Sequence, residues 1–111
     1  MFITNARDAE PFVAADLSEI RPLVDRSNTA IASVSLAHAV VAPNAETVWH
    51  RLDGTDEVYF ILCGRGMVSV GEESRKVGPG DAVWIPAGVP GPAYRAERDE
   101  RVDAMLAEVR S

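Results

Sequence analysis

The sequence predicts one all-β domain built as an antiparallel sandwich or barrel. Three observations carry this expectation. Turn signals recur at short intervals through the middle of the chain: Pro43-Asn44, Asp53-Gly54, Gly64-Arg65-Gly66, Gly71, Gly78-Pro79-Gly80, Pro86-Ala87-Gly88 and Pro90-Gly91-Pro92. The segments between them are apolar runs of strand length, rich in Val, Ile, Tyr, Phe and Trp. No helical segment separates those runs, so the strands have only one another to pack against.

In chain order, residues 1–30 form an N-terminal segment. Asp16-Leu17-Ser18-Glu19 resembles a helix cap, but Pro22 follows so closely that only one helical turn or a short strand fits. The barrel proper is expected over residues 31–111. Strands are predicted at 31–41, 47–52, 57–62, 67–70, 75–77 and 82–85. Residues 101–109 have some helical propensity, yet Val102, Ala104 and Leu106 alternate with other residues, which predicts a closing strand.

Composition narrows the function classes. The chain has 111 residues, 47% of them hydrophobic, enough for a core and room for a single domain. Eleven basic against seventeen acidic side chains leave a formal charge of −6. An acidic chain without a basic block has no Coulombic attraction to nucleic acid or to an anionic membrane surface. No apolar run reaches the length of a membrane span, and acidic residues interrupt the start before a signal-peptide core could form. Cys63 is the only cysteine, so neither an intramolecular disulfide nor a cysteine zinc cluster can form. A cytoplasmic protein is the expectation.

The residues able to carry chemistry cluster in the middle of the chain. Asn44 suits a left-handed turn position better than other non-glycine residues do. His50 and Leu52 lie two apart on a strand and so share a face. Asp53-Gly54 turns the chain and returns Glu57 on a neighbouring strand, with Tyr59 on the face of Glu57. There Glu57 can point at the same space as His50, and a carboxylate and an imidazole that meet can satisfy each other by a hydrogen bond. His38 reads as a hydrogen-bonded strand histidine, Cys63 as a small buried apolar residue, and Trp84 and Tyr94 as core or subunit-interface residues. Arg95, Arg98 and Arg101, interspersed with Glu97, Asp99 and Glu100, read as a solvated loop.

The stretch from Pro43 to Gly91 resembles the cupin family. The family's first motif, G(X)5HXH(X)3–4E(X)6G, aligns with Asn44, His50, Leu52, Glu57 and Gly64; the second, G(X)5PXG(X)2H(X)3N, aligns with Gly80, Pro86, Gly88, Gly91 and Arg95. The resemblance implies a single-domain jelly-roll β-barrel with His50 and Glu57 projecting into its lumen. Metal-bearing cupins hold a transition metal with three histidines and a glutamate. Leu52 and Gly91 stand at two of those histidine positions and offer no donor. The expectation is therefore no committed metal, with a divalent Fe, Mn, Ni or Zn ion bound only weakly at His50 and Glu57, and His38 or Tyr59 as the further candidate ligand. Leu52, Tyr59 and Gly91 would line a drier pocket suited to an apolar or aromatic small molecule.

Three functions compete: a small-molecule-binding cupin; an enzyme of isomerase, cyclase or dioxygenase type using His50 and Glu57 as an acid–base dyad or as ligands of a labile metal; and an interaction module with a solid core. The resemblance also implies a homodimer in which residues 1–30 reach the partner.

Overall fold

A computed structural model describes residues 1–14, 18–48, 54–89 and 93–110. After a 3-10 turn at Ala6–Asp8, its strands are β1 (Phe12–Val13), β2 (Glu19–Val24), β3 (Val34–Val41), β4 (Glu46–Val48), β5 (Thr55–Cys63), β6 (Gly66–Val70), β7 (Glu73–Val77), β8 (Ala82–Ile85), β9 (Ala93–Ala96) and β10 (Val102–Arg110). A larger sheet runs β1-β2-β3-β10-β5-β8 and a smaller one β4-β9-β6-β7. Every pairing is antiparallel. This is the jelly-roll barrel that the sequence predicts.

β10 occupies the middle of the larger sheet. It pairs with β3 from Val102↔Val41 to Val109↔Val34, and with β5 from Asp103↔Cys63 to Arg110↔Thr55, with a register shift between Asp103 and Ala104. The two-residue period of a strand then sorts its side chains. Val102 and Ala104 join Val41, Tyr59, Ile61 and Ile85 in the core, where Val68, Tyr94 and Ala96 of the smaller sheet meet them. Asp103 and Met105 turn to the outer face, Met105 with His38 and Phe60, its partners across the ladders.

Turn chemistry follows the residues. Asn44 has a φ of 65°, the left-handed conformation foreseen for it. Gly64 has a φ of 85° and lies against the Arg101 carbonyl, leaving no room for a side chain. Asp56 fastens the turn after β8: one carboxylate oxygen accepts the Ala87 amide at 2.8 Å and the other the Trp84 indole N–H at 3.3 Å. No helix among the described residues is long and apolar enough to cross a membrane.

The segment around Pro22 takes the strand form, one of the two expected of it: it joins the larger sheet as β2, and a register shift in its ladder with β3 follows the proline. Other details differ from the sequence reading. Residues 93–96 form β9, which places Arg95 in a sheet rather than in a loop; there its guanidinium meets Glu46 of β4 at 2.9 Å. Cys63 is exposed at the end of β5, and Trp84 is 63% exposed on the outer face of β8. Tyr94 is a core residue, as expected.

Candidate functional site

The site grows from the lumen side of β5. Its alternate residues Glu57, Tyr59 and Ile61 are all buried, although the first of them is ionisable. Glu57 keeps only 8% of its surface exposed. Burial of a carboxylate demands a hydrogen-bond donor. The Tyr59 hydroxyl supplies one, donating to Oε2 at 3.2 Å. The two-residue spacing that sets both side chains on one face makes this contact possible.

The neighbouring strands complete the surroundings. Glu57 pairs directly with Ile85 of β8 on one side and with Glu108 of β10 on the other. Directly opposed residues of an antiparallel ladder share a face, so two carboxylates stand side by side at this end of the barrel. Burial pushes the Glu57 carboxyl above its ordinary value, the Glu108 charge pushes in the same direction, and the Tyr59 hydrogen bond pulls against them. Glu108 has its own cation. Arg110 approaches it at 3.4 Å and donates to the Ser35 hydroxyl of β3 at 3.2 Å.

Ser35, Glu108 and Arg110 escaped the sequence reading, though a signal for two of them was present. The alternation Val102, Ala104, Leu106 continues to Glu108 and Arg110 on the same face. Polar residues at the end of an apolar series are easily taken for the end of the strand.

Of the other residues singled out, Tyr59 stands beside Glu57 as foreseen. His50 and Leu52 (in 49–53) and Gly91 (in 90–92) lie outside the described residues. His38 does not join Glu57. The flanking Ala39 and its paired Ala104 are buried on the core side, so the strand period turns His38 outward, where its Nε2 lies 3.7 Å from Asp103. Its Nδ1 is buried with no hydrogen-bond partner among the described residues, contrary to the expectation of a fully bonded histidine.

Among the described residues the donor set fits a metal poorly. A catalytic divalent ion generally takes three protein ligands. No group of three or more His, Cys, Asp or Glu side chains able to hold one occurs among the described residues. Leucine and glycine at positions 52 and 91 bring no donor atoms. What remains among the described residues is a wall that carries the Glu57 carboxyl and the Tyr59 phenol, with Glu108, Arg110 and Ser35 on the adjoining strands. Such a wall can bind a small molecule and exchange a proton with it.

This barrel, with its ionisable group on the inner wall, defines a class. The Cupin domain family matches residues 37–104, and the chain belongs to that family. An uncharacterised protein of the archaeon Methanocaldococcus jannaschii is 33% identical over 81 residues. The match covers 73% of this chain and 65% of the relative, so the chain spans slightly less than two thirds of that protein's length. Among solved structures, the polyketide cyclase RemF of Streptomyces resistomycificus superposes with a TM-score of 0.84 at 18% identity, over 98% of this chain and 79% of that one. A cupin 2 conserved barrel domain protein of Salinispora arenicola gives 0.81 at 18% identity, over 100% and 90%. At such identities the likeness concerns the fold.

Proposed function

We propose that this cupin binds a small organic molecule in its barrel, with Glu57 as the polar anchor. The observation that carries the reading is a carboxyl group buried on the inner wall beside the Tyr59 hydroxyl. Evolution toward a purely structural core would favour an apolar residue at this position, since an ionisable group there costs stability. Under this reading His50 is a second polar contact, and Leu52, Tyr59 and Gly91 shape a pocket for an apolar or aromatic ligand. The test is binding of a hydroxyarene probe, 2-naphthol, followed by chemical-shift perturbation. Wild-type protein should show shifts at the amides of Glu57, Tyr59 and Ile85. Glu57→Gln and Tyr59→Phe should each weaken binding about tenfold, the loss of roughly one hydrogen bond to a charged or polar group. Unchanged affinity in both variants, or shifts confined to the outer surface, would reject the reading.

A second reading, an enzyme, is favoured by the raised proton affinity of Glu57. A carboxyl group that holds its proton closer to neutral pH can serve as an acid and, once ionised, as a base. With His50 it would form an acid–base dyad for proton abstraction beside a carbonyl group, followed by isomerisation or cyclisation. The cyclase among the fold neighbours is compatible with this chemistry. In a metal-dependent variant, His50 and Glu57 would hold a labile Fe, Mn, Ni or Zn ion. Elemental analysis after chelator dialysis is expected to find well under one equivalent of any of these; a retained equivalent would favour the metal-dependent enzyme.

A further inference from the structure

The register of the larger sheet lays a polar row across its inner wall. Ser35 of β3, Glu108 of β10, Glu57 of β5 and Ile85 of β8 stand side by side along successive ladders. The adjoining row toward the core, Ala37, Leu106, Tyr59 and Val83, is apolar apart from the Tyr59 hydroxyl. Ala37, Leu106 and Val83 are half-buried, so they keep surface that an apolar body can cover.

Glu57 is more than nine-tenths buried in the polar row, yet only one of its oxygens is committed. Oε2 accepts from the Tyr59 hydroxyl, whereas Oε1 accepts no hydrogen bond among the described residues. A sequestered carboxylate oxygen without a donor is costly. Nor does a cation among the described residues answer its charge. Arg110 turns to Glu108 at 3.4 Å and to the Ser35 hydroxyl at 3.2 Å, on the side of β10 away from β5. Its charge also acts on Asp25, whose carboxyl is held low chiefly by the Ser27 hydroxyl. With both carboxyl groups ionised, Glu57, Glu108 and Arg110 leave this wall with one net negative charge.

We propose that the ligand of this lumen is a protonated primary amine on a small apolar body, its ammonium group seated between Glu57 and Glu108. The inference rests on the lumen-binding reading above and names the chemical class that fits it. Directly opposed residues of an antiparallel ladder hold their Cβ atoms about 5 Å apart, and an ammonium group with its three donors can bridge the carboxylates they carry. It gives Oε1 a donor, cancels the net charge and relieves the repulsion between two like charges. A neutral hydroxyl brings one donor and leaves the repulsion in place. Glu108, outside both family motifs, thereby becomes a specificity-determining residue.

Proton linkage gives the site a pH signature. Burial and the Glu108 charge hold the Glu57 proton above its ordinary range. An ammonium group prefers the ionised carboxylate, so amine affinity rises as pH climbs through the titration of Glu57. The titratable and charged groups facing Glu57 among the described residues are Tyr59 on its own strand and Glu108 with Arg110 on β10; β8 presents Ile85.

Calorimetric titration of the full chain with 2-naphthylmethylamine and with its neutral counterpart 2-naphthylmethanol, both in the presence of chelator, tests the assignment. At pH 7 the amine should bind about tenfold more tightly, and its advantage should shrink on descent to pH 4. Glu57→Gln should bring the two affinities close together, and Glu108→Gln should cut the amine's advantage several-fold. Glu73→Gln, on exposed β7, should leave it unchanged. Amide shifts at Glu57, Tyr59 and Ile85 report whether each probe enters the barrel. Equal affinities with those shifts present would overturn the amine assignment and leave the lumen-binding reading standing. Absence of the shifts with both probes would reject the two together. An advantage that survives both lumen substitutions, or falls as far in Glu73→Gln, would be general attraction to an acidic chain and would overturn the assignment.

Discussion

At the residue scale, Glu57 is where stability and function pull against each other. Its protonated form suits the lumen, and its ionised form must bear both burial and the neighbouring Glu108 charge. Its folded-state pKa is raised above the ordinary value of 4.5, so the protonated carboxyl favours the fold fully below that pH. This contribution is lost as pH rises through the folded-state value, at about 1.4 kcal/mol per unit of elevation. Glu57→Gln removes the titration. The variant is therefore expected to gain stability relative to the wild type between pH 4 and pH 7. Urea denaturation at the two pH values measures the difference, and a constant gap would mean that Glu57 is solvated. Tyr94 is the second perturbed group in the core. Burial first, then the charges of Glu97 and Glu100, push its hydroxyl up to about 12.

At the element scale, close approach decides which substitutions the barrel accepts. Gly66 opens β6 directly under the Tyr94 ring and the Arg95 carbonyl, and a methyl group there would collide with both. Gly66→Ala is expected to cost on the order of 1–3 kcal/mol, read as a lower midpoint in denaturant melts, because the obstacle includes backbone that cannot rotate away. Gly71→Ala tests a different cause: its φ of 61° penalises any side chain, although nothing lies within contact distance.

The same scale shows what was legible in the sequence. Strands bounded by turn residues and alternating cleanly were readable: β8 matches its predicted range, and β3, β5, β6 and β10 lie within a few residues of theirs. Strand β9 was hidden because Tyr94 and Ala96 are its only strongly buried residues and Arg95 between them resembled its charged neighbours downstream. Cys63 was misplaced for a related reason. It follows a run of apolar residues, but Leu62 and Cys63 are both exposed at the end of β5. Part of the candidate site was legible in the sequence: the resemblance pointed to Glu57, and the two-residue spacing set Tyr59 on its face. Glu108, Arg110 and Ser35 required knowledge of which distant strands lie side by side, and no local pattern contains that information.

At the scale of the whole molecule, most contacts join residues far apart in the chain. The ladders β3·β10 and β5·β10 link segments separated by tens of residues, and Thr47 on β4 reaches the Tyr94 carbonyl on β9. Loop-closure entropy must be overcome before such pairings stabilise anything, so refolding is expected on the millisecond-to-second scale of all-β domains. Stopped-flow circular dichroism measures the rate; a microsecond phase carrying the full amplitude would contradict this expectation.

The central place of β10 has a further consequence during protein synthesis. Strands β3 and β5 leave the ribosome well before the strand that must lie between them, and until then each presents an unpaired edge and an apolar face. Vectorial emergence can therefore pair β2 with β3 and β5 with β8, but cannot close the larger sheet between them. The ladders that join the two halves of the larger sheet can form only once residues 102–110 have emerged.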